Sequence, residues 1–218
     1  MKRVLVYVEG QTEETFVRDV LNPYFNEQGI HLIPTLAVTK RVVGGANFKG
    51  GIQTFDKVRG DIQRLLSDSS AVAITTMVDY YGLPTNFPGK KDTIKGDVHE
   101  RVKYIEQEFA LSINSSRFIP YLSVHEFEAL LFAKPISIVE TLSKPSALAE
   151  LQKIRASFAT PEEINDSPTT APSKRLEKLF PDYQKPLYGI LIAQTIGLTT
   201  LFQECPHFKE WVQRLEKL

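Results

Sequence analysis

The sequence predicts an α/β protein with a mostly parallel, four-stranded, Rossmann-like sheet, helices on both faces, and a C-terminal helical extension. Three observations carry this. Apolar runs of strand length alternate with helix-period segments through the first two-thirds of the chain, in the order β-α-β-α-β-α-β. The strand runs are near-continuous in apolar or β-branched residues, as strands covered on both faces are. Beyond residue 135 only helical periodicity remains, punctuated by prolines 145, 161, 168, 172, 181, 186 and 206.

In order, KRVLVYV (residues 2–8) reads as the first strand and leads to Glu9. Thr12 is the expected N-cap of a helix with Glu13 and Glu14 in its first turn and Phe16, Val17, Val20 and Leu21 on its buried face. Pro23 should end or kink it. IHLIPTLAV (30–38) is a second strand, and Gly44-Gly45 and Gly50-Gly51 bracket a loop carrying Lys49. Ile52, Phe55, Arg59, Ile62, Leu65 and Leu66 give a mostly apolar helical face. AVAITTMV (71–78) is a third strand that stops at Asp79; after the turn-rich YYGLPTNFPGKKD, Val98, Val102, Ile105 and Phe109 space another helix. RFIPYLSV (117–124) is the fourth strand and runs into His125-Glu126. Residues 1–134 are therefore expected to form the α/β core and 135–218 a helical extension packed on it, ending in a helix opened by Pro206 and carrying Phe208, Trp211, Val212 and Leu215.

At 218 residues the chain can bury one full core. A formal net charge of zero supplies no global field toward nucleic acid, so such a partner needs a local basic patch or bound cations. A single cysteine, Cys205, excludes an internal disulfide and fits a reducing cytoplasm. The apolar run after Lys2-Arg3 is too short for a signal peptide. PLYGILIAQTIGLTTLFQ (186–203) is uncharged, but its glutamines, threonines and glycines point to a buried helix rather than a membrane span.

Open parallel sheets bind ligands outside the carboxyl ends of their strands. Three of the four predicted strands end there in an acid or a histidine: Glu9, Asp79, and His125 with Glu126. Carboxylates gathered at one edge repel each other unless a proton or cation holds them. An oxygen-only set of this kind suits Mg²⁺ or Mn²⁺. In SVHEFEALLF (123–132), a helix beginning near His125 would put Phe127, Leu130 and Leu131 on one face and His125 with Glu128 on the other, Glu126 lying at the flank. Further on, IND ends near Asp166, and Lys174 and Arg175 open a helix whose free N–H groups suit an anion; with Lys185 they form a candidate phosphate clamp.

These residues resemble a known group. An acid ending strand one and another ending strand three, on this alternating frame, look like the TOPRIM superfamily of topoisomerase and primase domains and OLD-type nucleases. More closely, EGQTEETF, VDYYGLP, HEFEALLF, IND…APSKR and CPHFKEW resemble a bacterial TOPRIM-like family catalogued as domain-of-unknown-function family 4276. The resemblance implies a magnesium-dependent site for phosphodiester chemistry. Glu9 matches the acid of the first TOPRIM motif and Asp79 the first aspartate of its D-x-D motif; Tyr81 stands where the second aspartate is expected, so Glu13, Glu126 or Glu128 would have to compensate. By analogy an ABC-type ATPase partner in a phage-defence system is also implied.

The leading expectation is thus a cytoplasmic Mg²⁺- or Mn²⁺-dependent nuclease acting on nucleic acid, DNA ranked ahead of RNA, with no membrane partner and with a homodimer left open. Glu9, Asp79 and an acid of the HEFE segment would hold metal, Glu9 or His125 would take a proton, and Lys174 or Arg175 would neutralise phosphate oxygens. The rival is a non-catalytic nucleic-acid- or nucleotide-binding subunit of an ATPase complex. A topoisomerase or primase fits poorly, because the chain is short and lacks a zinc-binding cysteine set.

Overall fold

The computed structural model describes residues 1–37, 54–93, 96–165 and 169–218. The glycine-bracketed loop with Lys49, and Asp166, lie outside these residues. β1 (Lys2–Val8) pairs in parallel with β2 (Ile30–Leu36) on one side and β3 (Ala71–Asp79) on the other. β3 in turn pairs in parallel with two short strands, β4 (Phe118–Ile119) and β5 (Leu122–Ser123), giving the order β2-β1-β3-β4 with β5 also on β3. The expected α/β class and parallel sheet are therefore present. β2 is an edge strand, which is where Pro34, unable to donate to a ladder, is tolerated.

The single fourth strand expected over 117–124 is instead two pieces, and Pro120-Tyr121 between them explains why. Pro120 has no N–H, and hydroxyl groups of β3 replace the interrupted ladder. Thr76 Oγ1 donates to Tyr121 O (2.7 Å) and accepts from Tyr121 N–H (2.9 Å), while Thr75 Oγ1 donates to Ile119 O. Both threonines are fully buried, so these bonds also satisfy groups that would otherwise be costly to enclose.

Between β1 and β2 a helical run covers residues 11–26: α1 (Gln11–Phe16), a π-turn (Val17–Leu21) and α2 (Asn22–Asn26). Its N-cap is Gly10 rather than Thr12, which is buried inside the first turn. Pro23 does not end the helix; lacking an N–H, it follows a stretch in which the hydrogen bonding has widened to the π pattern, one of the usual accommodations of a proline. α3 (Phe55–Leu66) and α4 (Val98–Ile113) follow β2 and β3. α4 opens with a capping box in which Asp97 accepts from Glu100 N–H and Glu100 accepts from Asp97 N–H.

Strand alternation sorts the core into two layers. Leu5, Tyr7, Ile74 and Val78 face Val58 and Ile62 of α3 and Val102, Ile105 and Phe109 of α4. Val4, Val6, Val8 and Met77 face the opposite way, onto Phe16, Leu21 and a large part of the C-terminal third. That third comprises α5 (Pro135–Thr141), α6 (Leu148–Ala156), α7 (Pro172–Leu179), α8 (Lys185–Ile196), α9 (Leu198–Glu204) and α10 (Pro206–Glu216). The uncharged stretch 186–203 is broken between α8 and α9 by Gly197, whose φ of 78° is open to glycine at little cost. Among the described residues no helix is long and apolar enough to cross a membrane.

Candidate functional site

β1 and β3 are neighbours in register, Val8 opposite Met77, so both chains leave the sheet at the same end, one at Glu9 and the other at Asp79. Asp79 N–H donates to Glu9 Oε2 (3.3 Å), and Asp79 Oδ1 accepts from Phe127 N–H (3.0 Å). Glu13, one turn into α1, is buried and turns back over the N-cap. A Cβ at Gly10 would sit 3.1 Å from Glu13 Oε2, tighter than side chains normally pack, so the glycine makes room for this carboxylate. Gly82, three residues past Asp79, passes close to Glu9: a Cβ there would lie 3.4 Å from Glu9 Oε1.

The electrostatics follow from this crowding. Burial, then the Glu13 charge, pushes the Glu9 carboxyl up to about 7, against the opposing pull of the Asp79 N–H and the Lys185 charge. Burial lifts Asp79 well above the usual carboxylate range, with Glu13, Glu9 and Glu126 adding repulsion and Lys185 opposing it. Burial also raises Glu13. Four acids from three separate segments thus feel one another, and Lys185 is a cation that all of the first three feel.

The HEFE segment differs from expectation. It forms a 3₁₀ helix over Phe127–Ala133 rather than an α-helix beginning near His125, and every residue of it is buried. His125 adopts φ 68°, a left-handed conformation in which histidine is among the commoner non-glycine residues. Its carbonyl accepts from Tyr81 N–H (3.2 Å), its ring lies 6.3 Å from that of Tyr80, and its Nδ1 is 3.3 Å from Asn165 Nδ2. His125 precedes this helix, so Glu128 does not share a helix face with it. Glu128 has no exposed surface, and its Oε2 lies 2.8 Å from the Lys185 ammonium at the first turn of α8. The pair falls outside hydrogen-bond angles, so neither Glu128 oxygen has a hydrogen bond among the described residues. Glu126 is the residue just before the 3₁₀ helix, and its Oε2 accepts from Ser173 N–H (3.0 Å) in the first turn of α7.

The expected phosphate clamp is not assembled as one unit. Lys174 pairs with Glu177 (2.6 Å), both side chains about half exposed. Arg175 Nε donates to Thr170 O (2.6 Å), and its guanidinium lies over the Phe158 ring (5.9 Å). Lys185 faces Glu128. The α7 N-terminus expected to meet an anion does so, but the anion is Glu126.

The family described as Domain of unknown function (DUF4276) matches residues 8–216. The chain belongs to the DUF4276 family. Among solved structures this DUF4276 chain is similar to the C-terminal region of the Burkholderia pseudomallei OLD protein, at 16% identity over 99% of both chains and a TM-score of 0.44. It is also similar to the C-terminal region of the Xanthomonas campestris pv. campestris OLD protein, at 18% identity over 100% of this chain and 99% of that one, with a TM-score of 0.37. No curated protein matches it.

The DUF4276 donor set is made of hard carboxylate oxygens, the chemistry of a Mg²⁺ or Mn²⁺ site. Glu9, Asp79 and Glu126 each commit an oxygen to a backbone N–H, which orients the carboxylate, and none has a further hydrogen bond among the described residues. As they stand, no three His, Cys, Asp or Glu side chains among the described residues converge as a ready-made metal cluster. Burial first, and then repulsion from neighbouring acids, raises Glu9 and Asp79; a divalent cation would offset both, so residues and ion fit chemically once the side chains close on it. The Lys185–Glu128 contact joins segments distant in the chain, and the only local hint of it is a lysine placed just before an uncharged, buried helix.

Proposed function

We propose that this DUF4276 protein is a divalent-metal-dependent nuclease that hydrolyses phosphodiester bonds at a TOPRIM-like site. The observation that carries the reading is the meeting of Glu9 and Asp79 at adjacent parallel strand ends, bridged by the Asp79 N–H and backed by Glu13 and Glu126. Glu9, Asp79, Glu13 and Glu126 are the residues that would hold Mg²⁺ or Mn²⁺. When bound, such an ion supplies charge neutralisation at the scissile phosphate and a more acidic water. The chain itself orients the carboxylates through the backbone N–H groups of Asp79, Phe127 and Ser173. Lys185, steadied by Glu128, brings an ammonium to the same edge and neutralises a phosphate oxygen. Lys174 is held first by Glu177 and only then feels Glu126, so its charge is available to a phosphate only by leaving that pair.

The test incubates the protein with DNA and with RNA in Mg²⁺, Mn²⁺ or EDTA, beside Glu9→Ala and Asp79→Ala. Cleavage should need metal and fall at least about a hundredfold in both variants, since even loss of an outer-shell partner costs roughly 10–100-fold. Cleavage that survives both substitutions would overturn the site. A second reading, a non-catalytic nucleic-acid- or nucleotide-sensing subunit of an ATPase complex, is favoured by Tyr81, an aromatic where the D-x-D motif of the resembled superfamily carries its second aspartate. It is supported if Mn²⁺ binds and Asp79→Ala abolishes that binding while no cleavage occurs, with or without an added ATPase partner.

A further inference from the structure

Two tyrosines follow Asp79, and they behave differently. Tyr80 packs: its ring lies 6.3 Å from His125, and Lys90 Nζ sits 4.0 Å from its centroid. Tyr81 is 44% exposed as a residue and, among the described residues, its side chain meets no other ring and makes no hydrogen bond. A lone exposed aromatic is ordinary on a protein surface. The backbone beneath this one is not. Tyr80 N–H donates to Ser123 O (3.0 Å), Tyr81 N–H to His125 O (3.2 Å), Gly82 N–H to Asp79 O (3.2 Å) and Leu83 N–H to Tyr80 O (3.3 Å). Leu83 is then buried in the core. Tyr81 is thus presented from a turn whose backbone N–H groups are all bonded, two residues after Asp79 and directly before the glycine that passes Glu9.

With the backbone fixed, only the two side-chain torsions of Tyr81 are left to be ordered on binding. Two cations belong to the same part of the molecule: Lys90, whose ammonium lies on Tyr80 O (3.3 Å), and Lys185, which stands against Glu128 and acts on Glu9 and Asp79. An exposed aromatic beside an edge that takes a phosphate is the arrangement that holds an unpaired strand, base on ring and phosphate at the edge. A duplex hides the faces of its bases and gives such a ring nothing to stack on. We infer that Tyr81 stacks on an unpaired nucleobase next to the phosphate held at the Glu9–Asp79 edge, making single-stranded nucleic acid, or the single-stranded part of a larger one, the substrate class. The inference rests on the nuclease reading only for the location of that phosphate.

Binding is measured by fluorescence anisotropy with labelled single-stranded DNA, single-stranded RNA and duplex DNA of one sequence, in Ca²⁺ so that binding is read apart from turnover. The proteins are wild type, Tyr81→Ala and Tyr81→Phe, each first checked for an unchanged thermal midpoint. Tyr81→Ala should weaken single-strand binding by about tenfold, within the range of one lost base–aromatic stack. Tyr81→Phe, which keeps the ring, should stay within about twofold of wild type, and duplex binding should not move. Loss with DNA alone or RNA alone supports the inference and identifies the sugar. An unchanged Tyr81→Ala, an equal loss on duplex, a Tyr81→Phe as weak as Tyr81→Ala, or no single-strand binding by wild type overturns it. Failure of the nuclease reading shows separately, as single-strand binding that depends on Tyr81 without metal-dependent cleavage.

Discussion

A carboxylate with no exposed surface is tolerated where a cation stands against it, and at Glu128 that cation is Lys185, 2.8 Å away. Removing one partner of such a pair costs more than the pair itself is worth, because the other charge stays buried. Lys185→Met should therefore destabilise the protein by roughly 2–3 kcal/mol, less than for a fully enclosed pair because the lysine is partly exposed. Adding Glu128→Gln to it should recover most of that loss, and urea midpoints of the two singles and the double measure both. Equal losses in the single and the double would show that the two side chains do not interact. The contrast with Glu9 and Asp79 is instructive. Those two were legible because each ends an apolar run, and a charge where a buried strand stops is visible in one dimension. Helical spacing puts Glu128 on one face with His125, opposite Phe127, Leu130 and Leu131; the segment is instead a 3₁₀ helix buried at every residue, so that spacing does not apply. The partner that permits that burial, Lys185, is remote in sequence.

At the scale of elements, α10 shows how a helix legible from its own sequence is attached by groups that were not. Pro206 at its start and Phe208, Trp211, Val212 and Leu215 on its buried face are as expected. Its docking uses Glu162, whose two oxygens accept from His207 and Phe208 N–H (3.0 and 2.9 Å), and Trp211, whose ring stacks on Tyr121 (4.3 Å) while its N–H donates to Thr75 (2.8 Å). His207 Nε2 lies 3.0 Å from Glu106 Oε1, the oxygen that also accepts from Leu122 N–H. Burial alone would lower the His207 pKa; the Glu106 hydrogen bond and the charges of Glu106, Glu162 and Glu210 outweigh it, so the net shift is upward. A raised folded-state value means that protonated His207 favours folding. Its contribution is complete below the unfolded pKa of about 6.5 and disappears as the pH rises through the higher folded value. The difference in urea midpoint between wild type and His207→Gln should accordingly be larger near pH 6 than near pH 9. A difference that does not vary with pH would mean that folding leaves the His207 pKa unshifted, and one that shrinks toward pH 6 that folding lowers it. The split of the fourth strand belongs to the same scale: Pro120 was visible in the sequence, but not the threonine hydroxyls that let pairing resume beyond it.

At the scale of the whole molecule, the division into a core of residues 1–134 and an extension of 135–218 describes where the sequence pattern changes, and packing cuts across it. Val4, Val6 and Val8 of β1 belong to one apolar cluster with Ile138, Leu151, Ile190, Leu201, Phe208 and Trp211. The helices after residue 135 are therefore the cover for one face of the sheet, as α3 and α4 are for the other. A parallel sheet requires both faces covered. Stripping one face exposes several large side chains, each worth about 1.5–3 kcal/mol of burial, against a total stability for a domain of about 5–15 kcal/mol. A fragment ending at residue 134 should then lack a cooperative melt and near-ultraviolet dichroism, and it should bind a hydrophobic dye, while the full chain unfolds in one calorimetric transition with equal calorimetric and van't Hoff enthalpies. Two resolved transitions in the full chain, or a fragment that melts sharply, would show that the sheet holds its own fold. In that case Glu9 and Asp79 would be set by the strands alone, and Lys185 would reach them only when the helical part docks.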